Sequence, residues 1–199
     1  MTEPSLAPAR TTPARTAPLR TAAVLLAAGH SRRWGADDKL LAPWNGRPLV
    51  SYAATLLCRV PVDLRAAVVH DPQVGAQIDQ ATLLSPDGDD QAGSLRAAVA
   101  WAGQVGASRL LVLLGDMPFV TEGLAVTILD DCTDDTPSAA RHPDGRPGAP
   151  ACFPESLFPA LSSLHGDRGA GELLQDATCV SAPAAELVDV DVPQDLSAG

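Results

Sequence analysis

Three short stretches of this sequence carry residues suited to phosphate and metal chemistry. The first is Leu26-Ala27-Ala28-Gly29-His30-Ser31-Arg32-Arg33-Trp34-Gly35, followed at a short distance by Lys39. A glycine-containing loop after an apolar run presents backbone N–H groups that can wrap phosphate oxygens. Arg33 suits bidentate phosphate contact, and Lys39 supplies a point charge. The glycines do not fall as G-x-G-x-x-G, and no Gly-Lys-Ser/Thr follows, so this is neither a dinucleotide fingerprint nor a Walker loop. On spacing alone, a strand-to-helix turn with solvated charges fits equally well.

The second stretch is Leu114-Gly115-Asp116-Met117-Pro118. A carboxylate at the tip of a strand is placed to hold Mg²⁺ against triphosphate oxygens. The structural alternative is an Asp in a tight turn before a helix. The third is Val188-Asp189-Val190-Asp191-Val192-Pro193-Gln194-Asp195-Leu196. Alternating carboxylates leave a strand on one side, so one of them can add a second metal ligand. Equally, Asp191 can cap a helix that Pro193 opens.

The elements that must position these residues alternate between strand and helix. Residues 21–29 form a continuous apolar run, the mark of a strand buried on both faces in a parallel sheet. Further strands are expected at 64–69, 82–84 and 109–114, the last being the strongest central candidate. Helices are expected at 48–58, 72–81, 94–105 and 121–130, with Thr121 as an N-cap. Such alternation implies right-handed βαβ units and ligand binding beyond the carboxyl ends of the strands. Both the Gly29 loop and Asp116 lie at such ends. After residue 130 the pattern loosens. Residues 131–150 read mostly as loop, 151–153 as a short strand, 156–164 and 171–176 as helical, and 186–190 as a final strand.

Composition narrows the class. The chain has 199 residues and a net charge of −10, which repels a nucleic-acid backbone and makes a triphosphate dependent on local cations and a metal. Hydrophobic residues reach 46% and aromatics only 4%, so the core must be Leu, Val and Ala. No apolar run approaches the ~18 residues that span a bilayer. Cys58, Cys132, Cys152 and Cys179 are scattered, and read as reduced thiols of a cytoplasmic protein. Residues 1–20, rich in Pro, Thr, Ala and Arg, read as a disordered extension ahead of one domain at 21–199.

Taken as an ordered set, the three motifs resemble those of the MobA-like nucleotidyltransferase family: L-A-A-G-x-S-x-R-x-G with a following Lys, L-G-D-M-P, and D-x-D-x-P-x-D-L. Gly93-Ser94-Leu95-Arg96 is similar to that family's S-L-R-x-G segment. Gly145 to Gly148, Phe153 and Gly166 to Ala170 look like its acceptor-side region. The resemblance implies a Rossmann-like three-layer α/β/α domain with a mostly parallel sheet. It implies nucleotide binding by Leu26, Ala27, Ala28, Gly29, Ser31, Gly35 and Ser94. Catalytic roles fall to Arg33, Lys39 and Asp116, and Mg²⁺ ligation to Asp116 and Asp191. Among the members, molybdenum cofactor cytidylyltransferases are the nearest by motif, because Ala28 stands where guanylyltransferases usually carry a second glycine.

The expected reaction is therefore transfer of CMP from CTP to a small phosphorylated acceptor such as molybdopterin, with a molybdoenzyme as a conceivable partner. Gly148-Ala149-Pro150 departs from the family's usual Gly-His-Pro, Gly169-Ala170-Gly171 from Gly-Ala-Arg, and Val192 from threonine. The first two changes remove polar groups from the acceptor side. An NAD(P)H-dependent oxidoreductase of the nicotine blue oxidoreductase type, and a non-catalytic nucleotide-binding chaperone, remain open on the same fold.

Overall fold

The computed structural model describes residues 20–29, 38–88, 90–166 and 169–191. The extension read at 1–20 (apart from Arg20), the loop residues Ser31, Arg33 and Gly35, and the helix expected from Pro193 lie outside them. In chain order the elements are β1 (Thr21–Ala27), the short pair β2 (Pro43–Trp44) and β3 (Arg47–Pro48), α1 (Val50–Arg59), β4 (Leu64–Val69), α2 (Pro72–Gly75) and β5 (Thr82–Leu84). There follow α3 (Gln91–Gln104), β6 (Arg109–Leu114), α4 (Glu122–Asp131), β7 (Ser138–Arg141), β8 (Pro147–Pro154), α5 (Phe158–Ser162) and β9 (Thr178–Ser181).

Seven strands form one sheet in the order β5-β4-β1-β6-β8-β7-β9, and only β8 runs against the rest. The apolar run of β1 explains its central place. Ala23, Leu25 and Ala27 face the layer of α1 and α4, while Ala22 and Val24 face that of α3 and α5. β6 repeats the pattern, with Leu111 and Leu113 to one side and Leu110 and Val112 to the other. A three-layer α/β/α domain results, as the motifs implied.

Local chemistry sets the element ends. Thr121 caps α4, its Oγ1 accepting from Leu124 N–H at 3.2 Å. Arg65 of β4 closes the other end of α1, donating to the carbonyls of Leu57 at 2.8 Å and Val60 at 2.6 Å. Several expectations need correction. The helix expected over 72–81 stops at Gly75, since Gly is a weak helix former and the chain tightens into turns that end at Gln80 with φ of 57°. The helix expected from 94 begins at Gln91, with Gly93 inside its first turn.

The region 131–150 is largely a hairpin rather than loop, because Gly145 at φ 84° supports the turn between β7 and β8. The helix expected over 156–164 is a 3-10 turn, Glu155–Leu157, leading into the shorter α5, and 171–176 is a 3-10 turn, Ala170–Leu174. The final strand expected at 186–190 is also absent. Ala184–Leu187 form a 3-10 turn, and the extended segment beyond it makes a backbone bond to β6's tip instead of a ladder. β9 had no clear signal, being a short strand with only partly buried Cys179 and Val180.

Candidate functional site

The site forms where β1 and β6 end side by side. Leu26 pairs with Leu114, and Gly115 N–H donates to the Leu26 carbonyl at 2.9 Å. A side chain at Gly115 would press on Ala27 Cβ at 3.2 Å, so glycine lets the β6 tip lie close against β1. Asp116 therefore leaves the sheet beside Ala28 and Gly29. The same tip captures the C-terminal segment, as Val190 N–H donates to the Asp116 carbonyl at 2.9 Å. Val190 is buried, and its neighbours Asp189 and Asp191 point outward. The alternation read from the sequence thus operates in extended backbone, without a strand.

Lys39 opens a 3-10 turn, Lys39–Leu41, capped by Asp38, whose carboxylate accepts from Leu40 N–H at 2.9 Å. Buried Leu40 anchors that turn. The Lys39 ammonium lies 2.7 Å from Asp116 Oδ2 and 3.5 Å from Asp191 Oδ1. Burial alone pulls the ammonium's pKa down, but attraction and hydrogen bonding from Asp116, then Asp191, outweigh it and hold the pKa above its ordinary value. Asp189 stands beside this pair. Burial and then the Asp116 charge push its carboxyl up to about 6, against the opposing pull of His142. Its side chain reaches solvent, yet protein and like charges crowd it on the scale over which charges interact.

A cleft of about 210 Å³ runs along this edge, lined by Leu26, Ala27, Ala28, Gly29, Lys39, Leu40, Asp90, Ser94, Leu114 and Asp116. Every described residue expected to bind nucleotide, together with Lys39 and Asp116, is on that wall, and Asp191 reaches it through Lys39. Besides the apolar Leu40, the member that motif reading missed is Asp90. It precedes α3 and is gripped by Arg96 Nη2 at 3.0 Å and by Gly166 N–H at 2.6 Å. Those bonds, the Arg96 one foremost, hold its carboxyl below the ordinary range. Arg96 also donates to Asp87 Oδ2 at 3.0 Å and the Leu164 carbonyl at 2.9 Å, tying three segments together beside the cleft. The Asp four residues before Ser94 was the available signal, but an acid ahead of a helix reads first as a cap.

The donor set suits a hard divalent cation. Two carboxylates already converge on one cationic group, and Mg²⁺ commonly takes one or two carboxylates and completes its shell with water and phosphate oxygens. Among the described residues no three His, Cys, Asp or Glu side chains form a complete metal cage. Bound phosphate oxygens would have to supply the rest. The four cysteines are free, Cys132 and Cys152 being buried. No described helix is long and apolar enough to cross a membrane.

A mostly parallel sheet with a cleft and an acidic tip at its carboxyl edge defines an α/β nucleotide-binding domain of the nucleotidyltransferase kind. Residues 23–182 match the MobA-like NTP transferase domain, and the chain belongs to that family. It is 26% identical over 182 residues to the molybdenum cofactor guanylyltransferase of Pseudomonas fluorescens, covering 87% of this chain and 90% of that protein. The corresponding enzyme of Cereibacter sphaeroides is 31% identical over 102 residues, about half of each chain (51% and 53%). Among solved structures, Rv0371c of Mycobacterium tuberculosis H37Rv is 25% identical with a TM-score of 0.77, covering 90% of this chain and 97% of that one. A second structure of Rv0371c, with a TM-score of 0.74, is a complex with manganese. The protein is thus a nucleotidyltransferase.

Proposed function

We propose that the protein transfers CMP from CTP, bound with Mg²⁺, to the terminal phosphate of a molybdopterin-type acceptor and releases pyrophosphate. The observation that carries this reading is the convergence of Lys39, Asp116 and Asp191 at the open end of a cleft walled by residues 26–29. An acceptor oxygen attacks the α-phosphorus, and the bond to the departing pyrophosphate breaks with its electron pair. This chain's part is positioning and charge compensation. Backbone at Ala28 and Gly29 lies against the nucleotide. Lys39, already drawn to carboxylates, exchanges them for triphosphate oxygens. Asp116 and Asp191 would hold the metal, which when bound offsets negative charge on the phosphates. Arg33, which lies between Gly29 and Lys39 in the sequence, would add a bidentate cation.

The choice of base rests on Ala28, whose methyl lines the cleft and narrows it toward a pyrimidine. A second reading, GTP as donor, is favoured by the guanylyltransferases among the relatives. Pyrophosphate release measured with CTP, GTP, ATP and UTP, each with molybdopterin and with or without Mg²⁺, decides between them. Turnover is expected with CTP and Mg²⁺ only, and Ala28→Gly should move preference toward GTP by about 1–3 kcal/mol, the worth of one methyl in a pocket. A parent enzyme that prefers GTP discards the cytidylyl reading. NADPH oxidation that survives EDTA, without any pyrophosphate release, would replace transfer by reduction. Nucleotide binding with neither reaction would leave a chaperone.

A further inference from the structure

A transfer between two substrates needs two compartments that meet at the reacting atoms, and the nucleotide cleft is one. A second cavity, of about 460 Å³, opens past the β6 tip. Leu114 lines both, and Met117, next to Asp116, lines the second. Asp189 carries the carboxylate cluster into its wall, and the β7–β8 hairpin builds the opposite side with His142, Arg146, Gly148 and Ala149.

The two basic residues there are held very differently. The Arg146 side chain is 86% exposed and pairs with Asp144 at 3.8 Å, a solvated ion pair of small worth. His142 is half-buried and fixed on three sides. Its Nε2 lies 2.8 Å from the Ala149 carbonyl, which can only accept, so Nε2 carries the proton. Its ring rests on Gly148, where a Cβ would come within 2.9 Å of both Cδ2 and Nε2. Its backbone is pinned in the hairpin turn, with His142 N–H donating to Arg146 at 2.9 Å and Gly145 N–H donating to His142 at 2.8 Å. Among the described residues Nδ1 makes no hydrogen bond. One ring nitrogen is committed to the backbone and the other is presented by an already ordered side chain, which lowers the cost of binding a ligand there.

We propose that His142 is an acceptor-binding residue: this cavity takes the second substrate, and Nδ1 accepts a hydrogen bond from a hydroxyl or N–H group of it so that the attacking phosphate faces Asp116. The proposal rests on the transferase reading above. It also accounts for glycine at 148, since any side chain there would displace the ring. His142 transfers no net proton. Its contribution is orientation, so its loss appears in acceptor affinity and leaves nucleotide affinity alone.

The chain has four histidines, so the full-length protein labelled with ¹⁵N-histidine gives few ring signals, and the variant His142→Gln assigns the one in question. Molybdopterin should shift that signal, and CTP with Mg²⁺ should not. In steady-state assays His142→Gln should raise KM for molybdopterin by up to about tenfold, the upper worth of one neutral hydrogen bond, with KM for CTP within about twofold. Gly148→Ala, which keeps the imidazole but moves it, should give the same split. An unmoved His142 signal with molybdopterin overturns the proposal, and so does an equal rise in both KM values. Absence of pyrophosphate release by the unaltered protein overturns the transferase reading instead, and the ring signal then still decides whether His142 meets molybdopterin.

Discussion

Lys39 sits between two carboxylates, and the consequences of removing it differ with what is bound. In Lys39→Ala, Asp116 and Asp191 face one another without their shared cation. Triphosphate affinity should fall about tenfold, the scale of one charge-assisted contact. Mg²⁺ alone should bind the variant more tightly, because no ammonium competes for the same oxygens. Calorimetric titration with CTP and with MgCl₂ measures both, and unchanged values for both would remove Lys39 from the site. Asp189 gives a prediction of opposite character. Its carboxyl is pushed up to about 6, so in the folded state it holds a proton that the unfolded chain releases near the ordinary 3.8. That favours folding fully below the ordinary value, and the benefit is lost as pH rises through about 6. Asp189→Asn should therefore flatten the rise in unfolding susceptibility between about pH 4 and 6 in metal-free melts, and stabilise the protein at pH 7. A variant with the parent's pH profile would show that the crowding of like charges is already relieved. Asp116 was legible in the sequence because a carboxylate just past an apolar run stands out against it, Lys39 because it follows the glycine-containing loop, and Asp191 because acids there alternate with valines. Asp90 and His142 were not, because each joins the site through a contact distant in sequence, to Gly166 in one case and across a hairpin in the other.

The strands at 64–69, 82–84 and 109–114 were read to the residue, the first and last because buried parallel strands are near-continuous apolar runs, whereas 82–84 is a short, largely exposed edge strand. Some of the errors fall where small residues serve contacts rather than turns. Gly93 is the clearest case. A Cβ there would stand 2.5 Å from the Asp87 carbonyl oxygen and 2.9 Å from that of Gly88, so the first turn of α3 packs directly on the preceding loop. From sequence it reads as a residue outside the helix. In structure it holds the loop near Arg96, and so bears on Asp90 in the cleft wall. Gly93→Ala should lower stability by about 1–3 kcal/mol, as overpacking does, and raise KM for CTP through displaced Asp90. Gly103, in the same helix, has nothing within 4 Å of a built Cβ, so Gly103→Ala should stabilise by about 0.5–1 kcal/mol. Thermal melts of the two variants side by side test the difference, and equal melting would dissolve the claim of close approach. The hairpin of β7 and β8 escaped sequence reading for a related reason. Its strands carry Ala, Gly and Pro instead of β-branched residues, and a register shift between Ala139 and Ala140 breaks the regular pairing.

At the scale of the whole molecule, the governing quantity is charge. The chain carries a net −10, and Asp116, Asp189 and Asp191 add their negative field where a triphosphate must enter. Lys39 cancels only part of it. Nucleotide and divalent cation must then bind with positive coupling, each relieving the repulsion that opposes the other, and the coupling is reciprocal in free energy. At about 100 times its dissociation constant, CTP with Mg²⁺ should stabilise the fold by about 2.7 kcal/mol, a rise in Tm of roughly 5–10 °C for a domain of this size. CTP with EDTA, and Mg²⁺ alone, should together give distinctly less than that. Asp116→Asn keeps the shape at the β6 tip and removes one charge. In that variant metal-free CTP should bind at least as well as to the parent, because repulsion falls. The extra stabilisation from adding Mg²⁺ should largely vanish, and pyrophosphate release with it. Asp116→Asn weakens the pair with Lys39 but relieves the repulsion on Asp189, and Lys39 keeps Asp191, so the variant without ligand should melt near the parent. High salt should narrow the gap between the metal-free and metal-bound parent, since screening acts on the repulsion that the cation relieves. Simple additivity of the CTP and Mg²⁺ shifts in the parent, or full transferase activity in Asp116→Asn, would mean that the acidic cluster is a structural feature of the sheet edge and that the nucleotide is held by the Gly29 loop and its cations alone.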